Sequence, residues 1–379
     1  MAHPVYLDHA ATTPVDPRVR DAMLPYLGER FGNPSSPHGL GRVPKMALEE
    51  ARERVAAALG ADSPLEIIFT SGGTEADNLA VLGFARANRS KGKHIITSAI
   101  EHHAVLHACE QAEREGFEVT YLPVDSTGRV SVQAVEQAIR PDTILISVMW
   151  ANNEVGTLQP VAEIAALAKS RGIAFHTDAV QAFGALHVSA RDVVCDLLSI
   201  SSHKIYGPKG AGALYIRKGT ALEPLMIGGP HEFNLRAGTE NVPGIVGFGE
   251  AARLAALEYR DRAAKAQALR DAFIAGIQKI APDAILTGHP ADRLPGNAHF
   301  LFPGIESGTL IAALDLAGVC ISAGSACTAG AIEPSHVLKA MGYAPALARC
   351  AARFTFGCEN TESDVRLALP TLEKVLRRV

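Results

Sequence analysis

Reactive side chains recur just beyond short apolar runs. The stretch LLSISSHKIYGPKG ends such a run in Ser201, Ser202, His203 and Lys204, before Gly207, Pro208 and Gly210 turn the chain. Burial and neighbouring cations lower the pKa of a lysine in such a place and free its amine for Schiff-base chemistry. Lys209 is the competing lysine, although its flanking glycines suggest an exposed turn. IAFHTDAVQAFG puts Asp178 and Gln181 after another apolar run, at the carboxyl edge where open α/β sheets bind ligands. Asp178 there either serves a ligand or caps the next helix. IIFTSGGTEADN passes through Ser71, Gly72, Gly73 and Thr74 into a helix. Small residues and unpaired helical N–H groups can cradle an anion, while Thr74 and Asp77 also fit a capping pattern. EHHAV adds His102 and His103, and WANNEVG adds Asn152 and Asn153. Pyridoxal phosphate needs a lysine for its aldehyde, an acid for its ring nitrogen and an anion cradle for its phosphate. Lys204, Asp178 and the Gly73 junction supply these, and His102 could lie on the ring and exchange protons.

The cysteines divide into two kinds. Cys327 sits in VCISAGSACTAGAIEPSH, where Gly, Ser and Ala suggest an exposed loop and a thiol free to act as a nucleophile. Cys109, Cys195, Cys320, Cys350 and Cys358 read as unreactive. Six cysteines in 379 residues with no CxxC pair exclude a disulfide scaffold and suggest a reducing compartment. No cysteine or histidine lies at ligand spacing from Cys327, so no metal site is expected.

The elements that must position these residues alternate between strand-like and helix-like segments from about residue 45 to 250, the pattern of a mostly parallel sheet covered by helices. Strands are expected at Leu65–Thr70, His94–Ser98, Glu118–Pro123, Thr143–Met149, Ile173–His176 and Leu197–Ile200, with helices at Lys45–Leu59 and Glu75–Asn88. A Gly-rich stretch at 228–249 precedes a helix expected from Glu250 to about Ile280, and a smaller α/β unit follows. The division expected is 16–250 for a large domain and 1–15 plus 251–379 for a small one carrying the cysteine loop, about 320–334. A formal charge of −4, from 36 Lys and Arg against 40 Asp and Glu, offers no basic field for nucleic acid and no patch for a membrane surface. The start of the chain lacks a basic segment followed by an apolar one, and the expected location is the cytoplasm.

Read together and in order, YLDHAATTP, NPSSPHG, SGGTEADN, EHHAV, NNEVG, HTDAVQ, SSHKIYGPKG, RAGTEN, GSACTAG, EPSHVL and ARFTFG resemble the cysteine desulfurases of the NifS/IscS type, within the class-V aminotransferase-like enzymes of fold-type I. The resemblance implies a pyridoxal phosphate enzyme that converts L-cysteine to L-alanine through an aldimine and a ketimine. The sulfur would leave as a persulfide on Cys327 for iron–sulfur cluster assembly or another thiolation. It implies the Schiff base and the base at Lys204, ring stacking and acid–base work by His102, and contacts to the ring nitrogen by Asp178 and to the ring hydroxyl by Gln181. Phosphate contacts would fall to Gly73, Thr74, Ser201 and His203. Thr239 would reach the phosphate of a neighbouring subunit, which implies a homodimer. Asn153 and Arg353 would hold the substrate, Arg353 by the bidentate pairing that guanidinium favours. A sulfur-acceptor protein such as an iron–sulfur scaffold is the implied partner. Selenocysteine lyase-like or kynureninase-like chemistry, and a non-catalytic sulfur relay, are the rival readings.

Overall fold

The computed structural model describes residues 4–324 and 334–378. Its main sheet has seven strands: β1 (Ile67–Thr70), β2 (His94–Ser98), β3 (Glu118–Leu122), β4 (Thr143–Ser147), β5 (Ala174–Asp178), β6 (Leu197–Ser201) and β7 (Gly212–Ile216). They lie in the order β1-β7-β6-β5-β4-β2-β3. β7 runs antiparallel to both its neighbours, and the remaining pairs are parallel. Every residue of β2, β4, β6 and β7 is buried. Helices on both faces of a parallel sheet leave no solvent side, so these strands read as unbroken apolar runs rather than alternating ones. β3, at the sheet edge, keeps an exposed residue at each of positions 118 and 121. The expected strands thus appear within one or two residues of their places.

A second core gathers around a smaller antiparallel sheet of β8 (Ile285–Leu286), β9 (Asn297–Leu301) and β10 (Ala351–Thr355), with β9 in the middle. Phe273, Phe300 and Phe354 are fully buried there. Val5–Tyr6 pairs in parallel with Val319–Cys320 and draws the beginning of the chain onto this core.

Two helices start earlier than the sequence suggests. The first spans Gly39–Ala58 and carries Pro44 inside it. The second spans Val242–Ile280, eight residues ahead of the expected start at Glu250, with the Asn241 side chain accepting from the Gly244 N–H at 3.2 Å. Pro243 and three glycines look like breakers in sequence, but proline at the first helical positions gives up no hydrogen bond. Gly249 is required by contact, since a Cβ there would stand 2.6 Å from the Ala51 Cα. This helix serves both cores: Phe248 and Ala252 belong to the first, Phe273 and Ile277 to the second. No helix among the described residues is long and apolar enough to cross a membrane.

Candidate active site

The carboxyl ends of β1, β2, β5 and β6 open on one cavity of about 320 Å3, closed on its far wall by Arg353 of β10 and by Ser322, Gly324 and His336. Gly73, Thr74, His102, Asn153, Asp178, Gln181, Ser201, His203, Lys204 and Arg353 all line it. Parallel strands deliver their following loops to one edge, so residues 280 positions apart in sequence meet without any special device.

Lys204 follows β6 in a single 3-10 turn, Ser202–Lys204. Its Nζ donates to the carbonyls of Ala10 at 2.5 Å and Ala11 at 2.8 Å. Burial, reinforced by the Arg353 cation, pulls its pKa from 10.5 down to about 8, while Asp8 and Asp178 act in the opposite sense. The His9–Thr13 segment braces this turn, with the Thr13 hydroxyl donating to the His203 carbonyl at 3.0 Å. His102 is the N-cap of the helix His103–Arg114, and its Nδ1 accepts from the Ala104 N–H at 3.1 Å. That bond assigns the ring proton to Nε2. Burial, and then the charge of Lys204, lower the His102 pKa to about 4, so the ring is neutral at pH 7.

Asp178 closes β5 and accepts from the Val180 N–H at 2.9 Å. Burial raises its pKa, and the Val180 N–H and Lys204 oppose the rise. Asp77 lies in the same wall and is 1% exposed, and its Oδ1 has no hydrogen-bond partner among the described residues. Burial and the neighbouring Asp178 push its pKa well above the usual carboxylate range. Glu101, fully buried behind them, is raised to about 8 by burial.

The side-chain capping that Thr74 and Asp77 fit by spacing is not formed. The helix begins at Gly73 with Gly72 as N-cap and no side-chain cap, and Asp77 is buried instead of reaching back to a backbone N–H. A side chain at Gly73 would force Val180 to shift, since a Cβ would come 2.8 Å from Val180 Cγ2. Ser201 Oγ, buried beside it, has no hydrogen-bond partner among the described residues, and nor has Ser202 Oγ. His203 bonds Thr12 Oγ1 at 3.1 Å, and burial lowers its pKa to about 4. Asp178 caps no helix through its side chain, although its bond to Val180 makes a local turn.

Arg353 is 3% exposed and pairs with Asp8 Oδ1 at 2.9 Å, and its other terminal nitrogen donates to the Asn153 carbonyl at 2.8 Å. Its Nε is buried without a hydrogen-bond partner among the described residues. Thr239 lies apart from this cavity on an exposed stretch. Cys327 lies outside the described residues. Cys109, Cys195 and Cys350 are buried, and Cys320 and Cys358 are partly exposed. Sequence reasoning left out Asp8, the Arg353 partner, and Glu154, which accepts from Ser335 Oγ at 2.5 Å across 181 residues. It also gave Asp77 only a capping role.

These residues fit pyridoxal phosphate. The buried Ser201 hydroxyl, without a partner among the described residues, stands beside Gly73, which leaves room for an anion. A lysine with a lowered pKa and a carboxylate at a strand end share one cavity with them. The family model described as aminotransferase class-V matches residues 5–367. Cysteine desulfurase IscS of Dictyoglomus turgidum is 52% identical over 379 residues, covering 100% of this chain and 96% of that one. A human cysteine desulfurase is 46% identical, covering 99% of this chain and 82% of its own. Among solved structures, a NifS-like protein superposes with a TM-score of 0.93 at 38% identity over 99% of this chain and 100% of that one. SspA in complex with cysteine gives 0.82 at 39% identity, over 94% and 99%. The chain belongs to the class-V aminotransferase family, and within it to the cysteine desulfurases.

Proposed function

We propose that this protein converts L-cysteine to L-alanine with pyridoxal phosphate held in the described cavity, and that Cys327 takes the sulfur as a persulfide. The observation that carries the proposal is the convergence of Lys204, Asp178, His102 and Gly73 on one cavity whose opposite wall carries Arg353. The cofactor, when bound, supplies an aldehyde for an amino group and a ring that withdraws electrons from the substrate Cα, which loosens the Cβ–S bond. Gly73, Thr74, Ser201 and His203 would hold its phosphate, Asp178 its ring nitrogen, Gln181 its hydroxyl, and the neutral His102 ring would lie against it.

Arg353 and Asn153 orient the substrate carboxylate. Lys204, about half free amine at pH 8, takes the Cα proton on Nζ and returns one later in the cycle. The Cys327 thiolate attacks the substrate sulfur. An S–S bond forms as the C–S bond breaks, the released electron pair stays on the Cβ carbon, and that carbon takes a proton. L-Cysteine and a thiol thereby become L-alanine and a persulfide, with no added oxidant. The persulfide would then pass to an acceptor protein, such as an iron–sulfur scaffold, in a reducing compartment such as the cytoplasm.

The partner copy completes the site. Thr239 is exposed in the single chain, and nearby Met226 and Phe233 are about half exposed while Ile227 is 92% exposed. A homodimer burying that face would bring Thr239 to the phosphate of its neighbour.

Incubation with L-cysteine and a reductant, with sulfide and alanine measured together, tests the reaction: equal yields are expected. Lys204→Ala should abolish alanine release. Cys327→Ser should keep the cofactor absorbance and lose sulfur transfer from cysteine, and full transfer by that variant would overturn the persulfide assignment.

A further inference from the structure

A second cavity, of about 100 Å3, shares Lys204, Gln181 and Ala10 as a common wall with the substrate cavity. Two of its lining side chains are nearly sealed from solvent: His9 is 7% exposed and Asn297 is 2%. Neither ring nitrogen of His9, nor Oδ1 of Asn297, has a hydrogen-bond partner among the described residues. Buried polar atoms are costly when left unsatisfied, and a polar cavity beside several of them is a place for water. The volume suffices for several molecules, since each needs on the order of 10–30 Å3. At its outer rim stand Arg262, Ala263 and Cys358, all partly exposed. The cavity therefore runs from the lysine to the edge of the protein.

We propose that this cavity is a hydrated chamber through which Lys204 exchanges protons with solvent, with His9 as the residue that positions and relays them. The inference rests on the reading of Lys204 as the base. After Lys204 takes the substrate Cα proton, its ammonium gives one proton to a chamber water. That water passes a proton to one ring nitrogen of His9, the other nitrogen releases its own outward, and the reverse steps return a solvent proton to Nζ. Only N–H and O–H bonds form and break, and no electrons change hands. Burial lowers the His9 pKa to about 4, although Asn360 and the Tyr6 backbone, which come near the ring without bonding geometry, act in the opposite sense; the ring is therefore neutral, with one nitrogen to accept and one to donate.

The test uses L-cysteine deuterated at Cα in ordinary water and measures the deuterium left at Cα of the alanine. The wild-type protein should leave well under about one third, the share that a Lys204 ammonium carrying one deuterium and two protons would return with no solvent exchange. His9→Gln, which binds water but does not relay, and Ala263→Leu, which plugs the rim, should each raise retention roughly threefold or more. An experimental structure of the cofactor-free protein should show ordered water within hydrogen-bond reach of His9 and Asn297. Unchanged retention in both variants, or a dry chamber, overturns the inference. If the wild-type protein forms no alanine at all, the desulfurase reading itself fails instead.

Discussion

The free amine of Lys204 should be far more abundant at neutral pH than that of a surface lysine. A fall in its pKa from 10.5 to about 8 corresponds to roughly 3 kcal/mol. At pH 7 it raises the unprotonated fraction from about 0.03% to about 10%, on the order of 300-fold. The assay is stopped-flow mixing of pyridoxal phosphate with cofactor-free protein, followed by absorbance near ~400 nm across a pH series. Below pH 8 the recombination rate should rise about tenfold per pH unit and then level off. Burial is the first cause of the shift and Arg353 the second, so Arg353→Gln should move the inflection upward. Asp178 acts the other way, and Asp178→Asn should move it downward. Stability follows the same arithmetic. Between pH 8 and 10.5 the unfolded chain holds the Lys204 proton and the folded one does not, so this residue's contribution to stability rises with pH across that window. Lys204→Met should flatten the rise. A wild-type inflection near 10.5 would refute the reasoning, as would a downward movement in Arg353→Gln.

Two further outcomes concern the walls of the site, and a third concerns the support of β1. Arg353→Lys should keep the cofactor absorbance but raise KM for L-cysteine roughly 10- to 100-fold, because an ammonium cannot satisfy Asp8 and the Asn153 carbonyl and still pair bidentately. Steady-state kinetics would show it. Gly73→Ala forces a methyl to 2.8 Å from Val180 Cγ2, and the affinity for pyridoxal phosphate, read by fluorescence titration, should fall about tenfold. Arg52 pairs with Glu232 through two bonds of 2.6 and 2.8 Å, and the Glu232–Asn234 turn it holds has positive φ at three successive non-glycine residues. Arg52→Met should cost about 3–5 kcal/mol in a denaturant titration by leaving Glu232 buried and unpaired. Adding Glu232→Leu should recover only part of that loss, because the buried Phe69 N–H, which donates to Glu232 at 2.7 Å, is then left without its acceptor.

The sheet was legible because its strands are buried on both faces and are followed by loops of small and reactive residues. His94–Ser98 is an example in which the apolar run and the strand coincide. Local signals failed where a long-range contact decides the outcome. Asp77 fits a capping pattern by spacing, yet burial against Asp178 and His176 removes it from the helix start. The helix start at Val242 was hidden by glycines set by contacts from elsewhere: a Cβ at Gly249 would meet Ala51 and one at Gly247 would meet Met23. The pairing of Arg353 with Asp8 spans 345 residues, and no spacing within one segment reports it. The orphaned nitrogens of His9 are visible only once the second cavity is enclosed around them.

The helix Val242–Ile280 has 39 residues, about 58 Å of rod at 1.5 Å per residue. Each of its halves completes a different apolar core. A chain severed in its middle would leave both pieces with a bare greasy stripe, so neither part would keep a complete core on its own. Exchanging the cysteine-bearing part between relatives would require moving the join into that rod with its register intact. An insertion of three or four residues there would rotate one core against the other by the remainder of a turn and pull Arg353 away from Lys204.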